Sequence, residues 1–129
     1  MKLEQIFANI ELKFKDKVKK VKLMVDTGAS KSVISRKIAE ELGALTLLEK
    51  PYYLYTAQKD GKIKIIGYCN LDIKFEGVEI PGGTRFEVAE DVREDFTGVI
   101  GRPEIDSWDI IFTKEGPRLR KVPVEFKII

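Results

Sequence analysis

Apolar and polar residues alternate from near the start of the chain. Ile6, Ala8, Ile10, Leu12 and Phe14 fall on one face at period two, with Asn9, Glu11 and Lys13 on the other, the pattern of a half-buried strand. Lys15-Asp16-Lys17 is a polar turn, and Val18 to Val25 reads as a second strand that completes a hairpin. That strand ends in the apolar stretch Leu23-Met24-Val25 and runs straight into Asp26-Thr27-Gly28-Ala29-Ser30. Ser35 to Leu42 carries apolar residues at Ile38, Ala39 and Leu42, which predicts a short helix with Ser35 as N-cap and Gly43 as C-cap. Pro51 to Thr56 is aromatic-rich and strand-like. Lys59-Asp60-Gly61-Lys62 is a hairpin turn, because Asp-Gly supplies the positive φ such turns need. Lys62 to Phe75 resumes as strand with Gly67 as a bulge or bend, Glu76-Gly77 and Gly82-Gly83 read as turns, and Thr84 to Ala89 as a further strand. Pro103 to Trp108 reads as one helical turn, and Val122 to Ile129 as a closing strand. Many short strands with one or two short helices predict a mainly β fold, a small closed barrel or a folded-over sheet.

Composition narrows the chemistry. The 129 residues fit one domain spanning 1–129, long enough to bury a core without disulfides or metals. With 43% hydrophobic and 34% charged residues the expectation is a soluble globular protein. A net charge of +2 argues against nucleic acid or an anionic membrane as partner. No apolar run approaches the roughly 20 residues of a membrane helix, and the N-terminal segment reads as strand and not as a signal peptide, so a cytoplasmic protein is expected. The chain has no histidine, which excludes Ser-His-Asp and Cys-His catalysis and His-based zinc sites. Its one cysteine, Cys69, sits in a strand-like setting and reads as a small buried hydrophobe. Hydrolytic chemistry must then rest on carboxylates, lysines, tyrosines or a hard metal.

The segment Leu23-Met24-Val25-Asp26-Thr27-Gly28-Ala29-Ser30 meets that requirement. A strand delivers Asp26 to a fixed place, the Thr27 hydroxyl can brace the loop, and Gly28 lets its N–H approach a carboxylate. Ala29 and Ser30 are small and leave room for a ligand. Alone, Asp-x-Gly is also an ordinary turn whose Asp bonds backbone N–H groups. The segment nevertheless resembles the active-site loop of aspartic proteases, and the later Gly98-Val99-Ile100-Gly101-Arg102-Pro103 resembles the hydrophobic-hydrophobic-Gly motif of the same group, followed by Arg and a short helix.

The order hairpin, Asp-Thr-Gly loop, helix, hairpin, Gly-Arg motif and final strand is similar to that of retropepsin-like (retroviral-type) aspartic proteases. That resemblance implies a retropepsin-like acid-protease fold with a flap hairpin, and an endopeptidase needing no cofactor or metal. Asp26, Thr27 and Gly28 would be catalytic. Ala29 and Ser30, with Thr56, Ala57, Gln58, Lys59, Asp60 and Gly61 of the flap, would bind substrate. Val99, Ile100, Gly101 and Arg102 would support the loop, with Val99 and Ile100 buried. The chain holds a single Asp-Thr-Gly, whereas the chemistry needs two aspartates sharing a proton. A homodimer with a two-fold axis between two copies of Asp26 is therefore implied, with a peptide or protein as substrate and with Met1 to Ile6 and Val124 to Ile129 as candidate interface segments.

Two departures from the family pattern stand out. The flap tip is charged where many viral enzymes are Gly-rich and apolar, and Ser30-Lys31-Ser32 offers no acid to pair with Arg102, which needs another partner. The charged tip keeps open a reading in which the domain is a catalytically weak dimerisation or peptide-binding module. A phosphate-binding loop of the sugar-kinase or actin-like type also uses Asp-x-Gly-x-Ser/Thr, but that fold needs two domains and a longer chain. Tyr52, Tyr53, Tyr55 and Tyr68 read equally as groove lining or strand packing. The basic run Lys17 to Lys22 reads as a solvated hairpin face, and the acidic Asp91, Glu94 and Asp95 lack the spacing of a calcium loop.

Overall fold

The computed structural model describes residues 5–55, 61–90 and 93–120. The alternating N-terminal segment forms β1 (Phe7–Phe14), which turns at Lys15-Asp16 into β2 (Lys17–Val25) in antiparallel register from Phe14↔Lys17 to Phe7↔Met24. Ala8, Ile10 and Leu12 face inward with Leu23 and Val25. Ile6, expected on that face, lies before the strand and is exposed. Next come β3 (Val33–Ser35), α1 (Arg36–Glu41), β4 (Thr46–Tyr55), β5 (Lys62–Phe75), β6 (Val78–Glu90), β7 (Gly98–Ile100) and α2 (Arg102–Ser107). A separate hairpin of β8 (Ile110–Thr113) and β9 (Gly116–Leu119) follows.

The main sheet runs β1-β2-β7-β3-β6-β5-β4, and a further β1–β5 pairing closes six of these strands into a barrel. Strand β5 makes closure possible because it is long. Its first half, Lys62 to Tyr68, pairs with β4, and its last residues, Asp72 to Phe75, pair along β1. The register shifts near Gly67, as a bulge there implies. Apolar residues of all six barrel strands fill the interior, with Phe75 and Phe86 the largest fully buried side chains. Cys69 is among them, and burial pushes its thiol up to about 12, so it is a packed hydrophobe and not a nucleophile.

Ser35 caps α1 as expected, its Oγ accepting the Ile38 N–H at 3.3 Å. The C-cap is Leu42 and not Gly43, which lies one residue further in the left-handed region. The Gly43 N–H donates to Glu40 O and the Ala44 N–H to Ala39 O, the paired bonds of a Schellman ending. Gly82-Gly83 is not a turn between strands. Both glycines have positive φ, and β6 continues through them as a bulge, its partners jumping from Leu71↔Thr84 to Ile73↔Ile80. Strand β4 begins at Thr46, ahead of the expected Pro51, and Pro51 falls within the register shift between Leu47 and Tyr52, where a residue without an N–H is tolerated. The hairpin β8–β9 was not anticipated; it brings Ile110 and Leu119 onto the core beside Trp108, whose ring meets Phe75 edge-on at 6.0 Å. The expected Lys59-Asp60-Gly61-Lys62 turn and closing strand from Val122 involve residues outside the described ones.

Candidate active site

The Asp26 loop is held between three strand ends. Strand β2 pairs in parallel with β7 (Met24↔Val99, Val25↔Ile100), and β7 pairs on its other side with β3 (Val33↔Val99, Ile34↔Gly98). Asp26 thus leaves the sheet at a fixed point, where its N–H donates to Ile100 O at 3.0 Å. The Gly28 N–H donates to Asp26 Oδ1 at 2.8 Å, and the Ala29 N–H to Asp26 O at 3.1 Å. Asp26 is half-buried, whereas Thr27 and Gly28 are exposed on the protomer. Ala29 is half-buried and Ser30 exposed.

The second motif lies directly beneath. Val99 and Ile100 are buried, as anticipated for residues beside the loop. The Arg102 N–H donates to Ala29 O at 2.8 Å. Gly101 sits so close that a Cβ there would lie 2.5 Å from Lys31 O and 2.9 Å from Ala29 O. The partner that Arg102 needs is Asp106 of its own helix, at 3.2 Å across an exposed i,i+4 pair, worth little to stability. Of the residues expected to form a flap only Gly61 is described, half-buried just ahead of β5; Thr56, Ala57, Gln58, Lys59 and Asp60 lie outside the described residues.

Sequence reading missed the residues that hold this loop to the rest of the barrel. Ser32 is buried; its Oγ accepts the Gly101 N–H at 2.9 Å and its hydroxyl donates to Glu104 of α2. Ser32 thus ties the segment that follows the Asp26 loop to the start of α2. Ser32→Ala would leave the Gly101 N–H buried without its partner, which costs about 1–3 kcal/mol. The expected result is a matching drop in unfolding free energy in urea, with the exposed Ser30→Ala within about 0.5 kcal/mol of the parent. Equal stability of both variants would show that Ser32 holds nothing.

Glu87 of β6 was also missed. It is buried, next to Val33 in the parallel β3–β6 pairing. Its Oε2 accepts from Arg85 Nε at 2.9 Å and its Oε1 from the Tyr52 hydroxyl, while Lys31 Nζ stands 3.8 Å away and donates to Tyr52 Oη at 3.2 Å. Burial by itself raises the Glu87 carboxyl, but the hydrogen bonds from Arg85 and Tyr52 outweigh it and the net pKa is lowered. The stability Glu87 contributes is therefore present above the ordinary Glu value of 4.5 and lost as pH falls through the lower folded-state value. In denaturant titrations the stability gap between parent and Glu87→Gln is expected to be open near neutrality and to narrow below that value. A constant gap would mean that the charge of Glu87 does not contribute. Around this network lies a second apolar cluster outside the barrel, built on Val33, Ile65, Ala89 and Val99 and flanked by Met24, Ala29, Tyr52, Leu54 and Ile63. Tyr52 and Leu54 pack there, while Tyr53 and Tyr55 on the opposite face of β4 are exposed.

A closed barrel with an Asp-Thr-Gly loop at the end of one strand, seated on a hydrophobic-hydrophobic-Gly strand, is the architecture of retropepsin-like proteins. The comparisons agree. The family described as "gag-polyprotein putative aspartyl protease" matches residues 10–95, more than half of the chain, and the chain belongs to that family. The match stops short of Gly98-Val99-Ile100-Gly101-Arg102, but similarity to solved structures extends further. The retroviral protease-like domain of Ddi1 from Leishmania major superposes with a TM-score of 0.67 at 18% identity, over 94% of this chain and 92% of that one. The EIAV protease complexed with the inhibitor HBY-793 superposes with a TM-score of 0.54 at 18% identity, over 81% of this chain and 88% of that one. No curated protein matches the sequence. Among the described residues, no helix is long and apolar enough to cross a membrane and no group of acidic or cysteine side chains is arranged to hold a metal ion.

Proposed function

We propose that this chain is an aspartic endopeptidase whose active site forms when two copies bring their Asp26 carboxylates together across a two-fold axis. The observation that carries this is the setting of Asp26, a carboxylate at a strand end, aligned by the Gly28 N–H at 2.8 Å and anchored to Ile100 at 3.0 Å, with Thr27 and Gly28 exposed beside it. One Asp26 acts as general base toward a water, and the other donates a proton to the scissile carbonyl. Two like charges close together keep one proton between them, so base and acid coexist. No cofactor is involved. Residues 1–129 form one such domain. The partly buried Met24 and Ala29, packed on Val33 and Val99, form the cleft floor beside Asp26, and Thr56, Ala57, Gln58, Lys59, Asp60 and Gly61 are proposed to contact a bound extended peptide through strand-like hydrogen bonds.

The test is cleavage of unstructured peptides from acidic to neutral pH, with and without pepstatin, alongside the mass of the protein in solution. A dimer with a bell-shaped pH profile, sensitive to pepstatin, supports the proposal. A folded dimer that binds peptides but cleaves none would make the chain a binding module of the same fold. A rate still rising above about pH 9 would contradict a carboxylate pair.

A further inference from the structure

We propose that Lys31 is a specificity-determining residue that selects substrates with an Asp or Glu side chain close to the scissile bond. The inference rests on the peptide-cleft reading above and adds to it the substrate class. Its starting point is the charge balance of the Lys31–Tyr52–Glu87–Arg85 network. Two cations face one carboxylate. Glu87 is already served by Arg85 at 2.9 Å and by the Tyr52 hydroxyl, and Lys31 at 3.8 Å is beyond hydrogen-bonding distance of it. One positive charge is thus in surplus.

The two cations are about equally exposed, and Lys31 is the one without a hydrogen bond to Glu87. Arg85 is held by Glu87 at 2.9 Å and lies against the Tyr68 ring at 4.1 Å. The Lys31 side chain is 48% exposed, donates one hydrogen bond, to Tyr52 Oη at 3.2 Å, and has two further N–H groups to offer. The contact with Tyr52 holds its pKa above the usual lysine value, so it is charged across acidic to neutral pH. Its ammonium also lies 4.9 Å from the centre of the Tyr52 ring, which fixes where the stem points.

Position completes the case. Lys31 follows Ala29 and Ser30 on the Asp26 loop, and its carbonyl packs on Gly101. Tyr52, which holds its ammonium, belongs to the apolar cluster that includes Met24, Ala29, Val33 and Val99. An extended peptide crossing Asp26 presents alternate side chains to opposite sides. Those facing the cluster find the partly buried Met24 and Ala29, and a neighbour reaching Lys31 meets a cation that shares its one nearby carboxylate with Arg85. Both a carboxylate and a neutral amide of the same shape can accept a hydrogen bond from the ammonium, but only the carboxylate adds an ion pair to it.

The experiment measures binding to the Asp26→Asn protein, so that it does not depend on turnover. The probes are fluorescent octapeptides with apolar central residues, carrying Glu or Gln at each of the other positions in turn. At one position the Glu peptide is expected to bind about five- to tenfold more tightly than its Gln twin, with the ratio falling as salt rises. The ratio is expected to persist in Lys31→Arg, approach one in Lys31→Met and invert in Lys31→Glu. Equal binding of Glu and Gln peptides at every position, or a preference for Glu unchanged in Lys31→Met, would overturn the proposal alone. Failure of every peptide to bind would overturn it together with the peptide-cleft reading.

Discussion

Replacing Asp26 by Asn is expected to lower peptide turnover by at least about a thousandfold and to leave the fold unchanged. The substitution is nearly isosteric. The amide oxygen still accepts the Gly28 N–H that Asp26 Oδ1 accepts at 2.8 Å, and the backbone N–H still donates to Ile100 O at 3.0 Å. What is lost is a group that can take a proton from water. The measurement is kcat/KM on a cleaved peptide, with unfolding curves of both proteins to confirm equal stability. Turnover within tenfold of the parent would rule out Asp26 as base or acid.

The same variant separates a shared site from two independent ones. If each active site needs Asp26 from both copies, a freely exchanging equal mixture of parent and Asp26→Asn contains only about a quarter of its dimers in active form. If each protomer worked alone, about half of the activity would remain. Activity near one quarter, after subunit exchange has been verified with labelled protomers, is the expected result. It would establish the dyad more directly than the loss of activity in the homogeneous mutant.

Much of this arrangement could be read along the chain, and what could not has a physical reason. Strands β1 and β2 were legible because Ala8, Ile10 and Leu12 alternate with Asn9, Glu11 and Lys13, and one face is buried. Helix α1 was legible from Ser35, whose cap is local. Strand β4 was legible only from Pro51, because Leu47 and Leu48 break the alternation and the register slips before Tyr52. The β8–β9 hairpin was hidden by the continuous Ile110-Ile111-Phe112 and by Pro117, which reads against a strand. The Asp26 loop and the Gly101 segment announced themselves as short motifs. Ser32, Glu87 and Glu104 did not, because their partners are distant in sequence. Ser32 reaches Gly101 and Glu104 only after β7 inserts between β2 and β3, and Glu87 meets Lys31 only through the parallel pairing of β3 with β6. Ordinary polar residues gain a role there from topology, which no local pattern encodes.

Gly101→Ala tests whether that inserted strand positions the Asp26 loop for the proposed catalysis. The backbone at Gly101 is extended, with φ −97° and ψ −177°, so any residue could adopt it, and the requirement for glycine is one of contact. A methyl group would lie 2.5 Å from Lys31 O, 2.7 Å from Lys31 C and 2.9 Å from Ala29 O, all backbone atoms of the segment that follows Asp26. None of them can rotate away. The loop must rise from α2, stretching the Arg102 N–H to Ala29 O bond of 2.8 Å and the Gly101 N–H to Ser32 Oγ bond of 2.9 Å. Overpacking of this kind costs about 1–3 kcal/mol, and displacement of a catalytic group by about 1 Å costs about a hundredfold in rate. Both losses are expected together, a lower urea midpoint and a kcat reduced about a hundredfold at temperatures where the variant is fully folded. Gly77→Ala is the control, since nothing lies within 4 Å of the added Cβ and the cost is the positive φ of 83° alone. It should lose about 1 kcal/mol of stability and keep the parent kcat. A Gly101→Ala protein that is folded, destabilised and fully active would mean that Asp26 is positioned by β2 and the Gly28 N–H without help from β7. The Gly-Arg segment would then serve stability alone.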